Sequence, residues 1–83
     1  MFIEESSRFF NSNQLRKKLL NTSTGMMLEL DVEPIEKYRV KWMSNSHVYL
    51  YCISNASYEE AFQVYNALKT KWVGNDEVIS FNV

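Results

Sequence analysis

The sequence predicts an α+β fold, a two-layer α/β sandwich of order α-β-β-β-α-β, and two patterns carry that prediction. Three consecutive segments between Met26 and Ser54 alternate apolar and polar residues with the period of a half-buried strand. Two other segments, one before and one after them, open on capping sequences and carry an apolar stripe, spaced at three and four in the second. The chain has 83 residues, enough for a single compact domain over 1–83. Twelve aromatic residues, 14% of the chain, supply a core without staples; one cysteine cannot form an internal disulfide.

The first expected helix begins near Asn11. Asn11 and Gln14 make a capping box, Phe10 is placed to staple onto Leu15, and Leu15, Leu19 and Leu20 form the apolar stripe. Arg16, Lys17 and Lys18 then face water as one basic patch, and Gly25 stops the helix.

Three strands follow as an antiparallel meander. Met26–Val32 places Met26, Leu28, Leu30 and Val32 on one face, with Glu29 and Asp31 on the other. Glu36–Met43 turns Tyr38, Val40 and Trp42 inward and Lys37, Arg39 and Lys41 outward. His47–Ser54 turns Val48, Leu50 and Cys52 inward, with Tyr49, Tyr51 and Ile53 outward. The expected register pairs Leu30 with Tyr38, Leu28 with Val40 and Met26 with Trp42, around a loop of Glu33, Pro34 and Ile35. The next hairpin pairs Val40 with Leu50 and Trp42 with Val48, turning at Ser44-Asn45-Ser46.

A second helix opens on the Ser57/Glu60 capping box. Tyr58, Ala61, Phe62, Tyr65, Leu68 and Trp72 make its apolar face, and it ends at Gly74-Asn75-Asp76. The last strand, Glu77–Val83, is added through this helix crossover and is expected parallel to the third strand.

The order helix, three strands, helix over residues 11–73 resembles that of double-stranded RNA-binding domains. Those domains begin their last helix with a lysine cluster that grips phosphates. Here that position reads Ser57-Tyr58-Glu59-Glu60, and the added strand departs from the pattern.

Several function classes find no support. His47 and Cys52, the only soft metal ligands, fall on opposite faces of one strand, which also separates them as a nucleophile pair. The two glycines make no phosphate-cradling loop. Glu59 and Glu60 lie in a first helical turn, where capping and the helix dipole account for them. No enzymatic activity, cofactor or metal is expected. The N-terminal residues carry no basic region or apolar run of a signal peptide, and no segment is long and apolar enough to span a membrane, so a cytoplasmic location is expected.

What rises above this background is the outward sheet face. The expected register stacks Lys37, Arg39 and Lys41 beside Tyr49 and Tyr51, with Arg16, Lys17 and Lys18 nearby. Cations interleaved with tyrosines suit single-stranded nucleic acid, by phosphate contact and base stacking. Glu29 and Asp31 lie across from Arg39 and Lys37, however, and a net charge of −1 gives no bulk attraction to phosphate. The final strand offers a second surface: Ile79 and Phe81 would sit on an edge without Lys or Pro, open to a homodimer or to a partner's strand. The reading that follows is a non-catalytic protein-binding module. Its size and composition resemble those of phage or viral accessory proteins that inhibit a host factor by binding it. An RNA-binding protein using the sheet face is the alternative.

Overall fold

The computed structural model describes residues 1–9, 14–33, 37–46 and 48–83. Six strands and one helix follow in the order β1 (Phe2–Arg8), β2 (Leu15–Asn21), β3 (Met27–Glu33), β4 (Lys37–Met43), β5 (Tyr49–Ala56), α1 (Tyr58–Val73) and β6 (Val78–Asn82). The strands form one mixed sheet ordered β5-β4-β3-β2-β1-β6, with β6 parallel to β1 and every other neighbour antiparallel. The α+β class stands. The order α-β-β-β-α-β, and the sandwich drawn from it, does not: two strands precede the meander and only one helix forms among the described residues.

The segment expected as a first helix is β2, a central strand. It pairs with β1 from Leu15↔Arg8 to Asn21↔Phe2 and with β3 from Lys17↔Leu30 to Leu20↔Met27. Its residues are good helix formers, but local preference amounts to tenths of a kcal/mol per residue. Ladder bonds on both sides and the full burial of Leu19 outweigh that. Phe10 and Asn11, the proposed staple and cap, lie outside the described residues. Without a first helix, the likeness in element order to double-stranded RNA-binding domains lapses.

Gly25 does not end a helix; it closes the β2–β3 turn. Asn21 Oδ1 accepts from the Ser23 and Thr24 amides at 2.9 and 3.3 Å, and the Gly25 amide donates to Asn21 O at 2.8 Å. Gly25 has φ +77°, and a Cβ there would stand 2.9 Å from the Asn45 Cβ. Both facts demand glycine. Gly25→Ala is expected to lower stability by about 1–3 kcal/mol, read as a lower denaturant midpoint with unchanged slope.

The β3–β4 hairpin keeps the expected faces but slides by two residues. Leu28 pairs with Trp42, Leu30 with Val40 and Val32 with Tyr38. An even slip preserves which side chains are buried, so Leu28, Leu30 and Val40 are fully enclosed as expected. Pro34, Ile35 and Glu36 of the connecting loop lie outside the described residues.

Strand β5 departs further. Val40 pairs with Ile53 and Trp42 with Tyr51, three residues from the expected register, and two register shifts interrupt the ladder. An odd slip turns the strand over. Val48, Leu50 and Cys52, expected inside, are exposed, while Ile53 packs against the core. Leu50 is the extra residue between the Met43↔Tyr49 and Trp42↔Tyr51 pairs. The second shift coincides with Asn55 at φ 59°, a left-handed position that asparagine tolerates.

Helix α1 forms as its sequence directs. Ser57 Oγ accepts from the Glu60 amide at 3.2 Å, Glu59 and Glu60 fill the first turn, and Gly74 caps the end with its amide on Thr70 O at 3.1 Å. No helix among the described residues is long and apolar enough to cross a membrane. The helix lies on one sheet face with Ala61 and Tyr65 fully buried against Leu19, Leu28, Leu30 and Val40. Aromatic pairs pin both of its ends. Tyr58 meets Tyr38 at 5.4 Å between ring centroids, and Trp72 meets Phe2 at 4.9 Å and Trp42 at 5.4 Å. Most of the aromatic surplus is therefore core.

The last strand is parallel to β5, as expected, but not beside it. The crossover carries the chain across the whole sheet to the far edge, next to β1. The two outermost strands of the sheet are thus β5 and β6.

Candidate functional site

The sheet has a helix-covered face and an open one, and pairing assigns each residue. Helix-side positions include Phe2, Glu4 and Ser6 of β1, Lys17 and Leu19 of β2, and Tyr51 and Ile53 of β5. Open-face positions include Arg16 and Lys18, Glu29 and Asp31, Arg39 and Lys41, and Tyr49 and Cys52. No helix among the described residues covers this second face.

The structure breaks up the expected basic and tyrosine surface. Tyr49 and Tyr51 are two residues apart, and an unbroken strand would put them on one face. The bulge at Leu50 places Tyr49 opposite Met43 on the open side and Tyr51 opposite Trp42 on the helix side. The basic run divides too. Arg16 and Lys18 stay on the open face, while Lys17 points to the helix side and its Nζ donates to Ser6 Oγ at 3.2 Å.

The cations left on the open face are mostly engaged. Glu29, expected opposite Arg39, pairs with Lys41; Asp31, expected opposite Lys37, pairs with Arg39. Lys41 Nζ lies 3.5 Å from Glu29 Oε2, with both side chains 11% exposed, and 5.6 Å from the Tyr49 ring centroid. Asp31 receives Arg16 Nε at 3.0 Å and has Arg39 at 3.8 Å. Arg16 also lies 5.4 Å over the Phe9 ring. Lys37 is exposed at the start of β4, across from Glu33 in the backbone ladder. A shallow cleft on this face is lined by Glu5, Ser7, Arg16, Lys18 and Val83.

Sequence reasoning missed a second polar cluster, between helix and sheet. Glu4, only 4% exposed, accepts from Tyr65 Oη at 2.7 Å and Lys69 Nζ at 2.8 Å. Burial pushes the Glu4 carboxyl up, but the hydrogen bonds from Lys69 and Tyr65 and the charges of Lys17 and Lys69 hold it below its ordinary value. Burial first, then the adjacent Glu4 carboxylate, drives the Tyr65 phenol far above its ordinary value. Tyr65 is fully enclosed and stays protonated, so the group is a structural clamp. No pattern of apolar alternation reveals it, because Glu4 and Ser6 occupy inward positions that would ordinarily be apolar.

Exposed apolar surface is what distinguishes the remainder. Val48, Tyr49, Leu50 and Tyr51 are 58%, 57%, 55% and 44% exposed at the β5 edge; Ile79, Phe81 and Val83 are 38%, 51% and 83% exposed along β6. Cys52, a free thiol, is also exposed on β5. Among the described residues, no three His, Cys, Asp or Glu side chains are grouped to hold a metal, and His47 lies outside those residues. Comparison with protein-family models, with curated proteins and with solved structures finds no match in any of the three.

Proposed function

We propose that this chain is a non-catalytic protein-binding module whose contact surface is the apolar patch Val48, Tyr49, Leu50 and Tyr51 at the start of β5. One observation carries the reading: four consecutive large apolar residues, each 44–58% exposed, wrap around a sheet edge, with Tyr49 toward the open face and Tyr51 toward the helix side. Single exposed apolar residues need no explanation, but a run of four with two aromatics at one edge has the composition of an interface centre. The two β5 bulges twist the edge away from regular strand addition, so the partner docks by side-chain packing. Its complementary surface is apolar, with acceptors for the tyrosine hydroxyls. We further propose that the partner is a host factor inhibited by this contact, in the manner of phage or viral accessory proteins.

Nucleic-acid binding is the weaker reading. Lys41, Arg39 and Arg16 already contact carboxylates, so phosphate would have to displace Glu29 and Asp31. Affinity capture from host lysate, with and without nuclease, separates the two. A single protein partner is expected to survive nuclease and to be lost with Tyr49→Ala plus Leu50→Asp, since buried aromatic anchors typically contribute about 2 kcal/mol or more each. Loss of all captured material after nuclease, or capture unaffected by the double substitution, would overturn the proposal.

A further inference from the structure

The β6 edge differs from β5: its ladder with β1 is regular from Phe2↔Val78 to Ser6↔Asn82, and it carries no Lys, Pro or bulge. We propose that β6 pairs antiparallel with β6 of a second copy of this chain, about a two-fold axis at Ser80.

The backbone selects that register. Phe2 N–H donates to Glu77 O at 2.9 Å and Val83 N–H donates to Ser6 O at 2.7 Å, so the odd-numbered residues of this segment bond to β1. Strand alternation then turns both backbone groups of Val78, Ser80 and Asn82 outward, where no strand among the described residues pairs with them. With the axis at Ser80, each Ser80 faces its counterpart and each Val78 faces an Asn82. All three outward residues then exchange both of their hydrogen bonds. An axis at Ile79 or Phe81 leaves one outward residue without a partner.

Side chains agree with this register. Ile79 of one copy stands opposite Phe81 of the other in the closer, non-hydrogen-bonded position, and both belong to the open face, where they are 38% and 51% exposed. A β-branched residue against an aromatic is a favourable cross-strand pair. The flanking position adds no like-charge clash in the ladder: Glu77 of one copy falls opposite the apolar Val83 of the other. Two-fold symmetry makes this contact twice. No strand of different sequence gains the same match from both sides.

Sedimentation equilibrium over a concentration series tests the proposal. The chain is expected to pass from one chain mass to two as concentration rises into the high micromolar range. Ser80→Pro removes only an outward N–H, so the monomer keeps its sheet by circular dichroism, while the dimer constant weakens roughly tenfold or more. Phe81→Lys has the same effect through the side-chain pair, and Tyr49→Ala on the opposite edge has none. One chain mass at every concentration overturns the proposal, as does a dimer that survives both β6 substitutions. Either outcome leaves the reading of the β5 patch standing, because that surface lies across the sheet.

Discussion

Glu4→Ala is expected to remove about 3 kcal/mol of folding stability, the scale for breaking a buried charge pair by deleting one partner. For a chain of 83 residues, total stability is on the order of 4–12 kcal/mol, so this one change takes a large share of it. The carboxylate is enclosed and receives two hydrogen bonds, from Tyr65 and Lys69. Its removal leaves the Tyr65 hydroxyl buried without an acceptor and Lys69 without its counter-charge. Tyr65→Phe is milder, about 1–3 kcal/mol, because Lys69 still satisfies the carboxylate. The sign with pH follows from the lowered carboxyl value. A group whose folded value lies below its unfolded one adds stability above the unfolded value, about 4.5, and loses it as pH falls through the folded value. The stability gap between the natural chain and Glu4→Gln is therefore expected to shrink on acidification below about 4.5. A gap that stays constant or widens would show that Glu4 is not held ionised. Chemical denaturation at several pH values reads it directly.

The second large effect belongs to Glu29. Glu29→Ala leaves Lys41, 8% exposed, as a buried cation without its partner, at a cost of about 2–4 kcal/mol, reduced from the fully buried case by residual solvent access. The measurement also decides the β3–β4 register. In the observed pairing Glu29 faces Lys41; in the register read from sequence it faces Arg39. A double-mutant cycle between Glu29→Ala and Lys41→Ala is expected to give a coupling of about 0.5–3 kcal/mol, well above that with Arg39→Ala. The reverse ranking would restore the other register.

The elements that sequence reasoning found share one property: their burial pattern is simple. Leu28, Leu30 and Val40 alternate cleanly and are fully enclosed. Helix α1 carries its own start and stop signals at Ser57 and Gly74, and both work as expected. Strand β1 had no such pattern. Its inward residues Phe2, Glu4 and Ser6 are two-thirds polar, and only Tyr65, Lys69 and Lys17, distant in sequence, make their burial tolerable. Strand β2 was hidden by the opposite problem: a capping sequence and strong helix formers spell a local helix, which pairing on both sides overrides.

The candidate surfaces divide in the same way. Ile79 and Phe81 were legible as an apolar strand, and the topology then placed that strand on an edge. Tyr49 and Tyr51 were legible as unusual, but their separation onto two faces depends on the single extra residue at Leu50. A bulge has no hydrophobic period, so no window of sequence reports it.

By itself, the sequence determined the α+β class, the faces of β3 and β4, the limits of α1 and the apolar character of the last strand. These follow from short-range rules, the period of two or 3.6 and the chemistry of helix ends. Only the tertiary structure decided that Leu15–Asn21 is a strand, which carboxylate meets which cation, which way β5 faces and where β6 lies. Each of those depends on a choice among partners far apart in the chain. That choice is made by the total burial and hydrogen bonding of the whole sheet, which no local pattern contains.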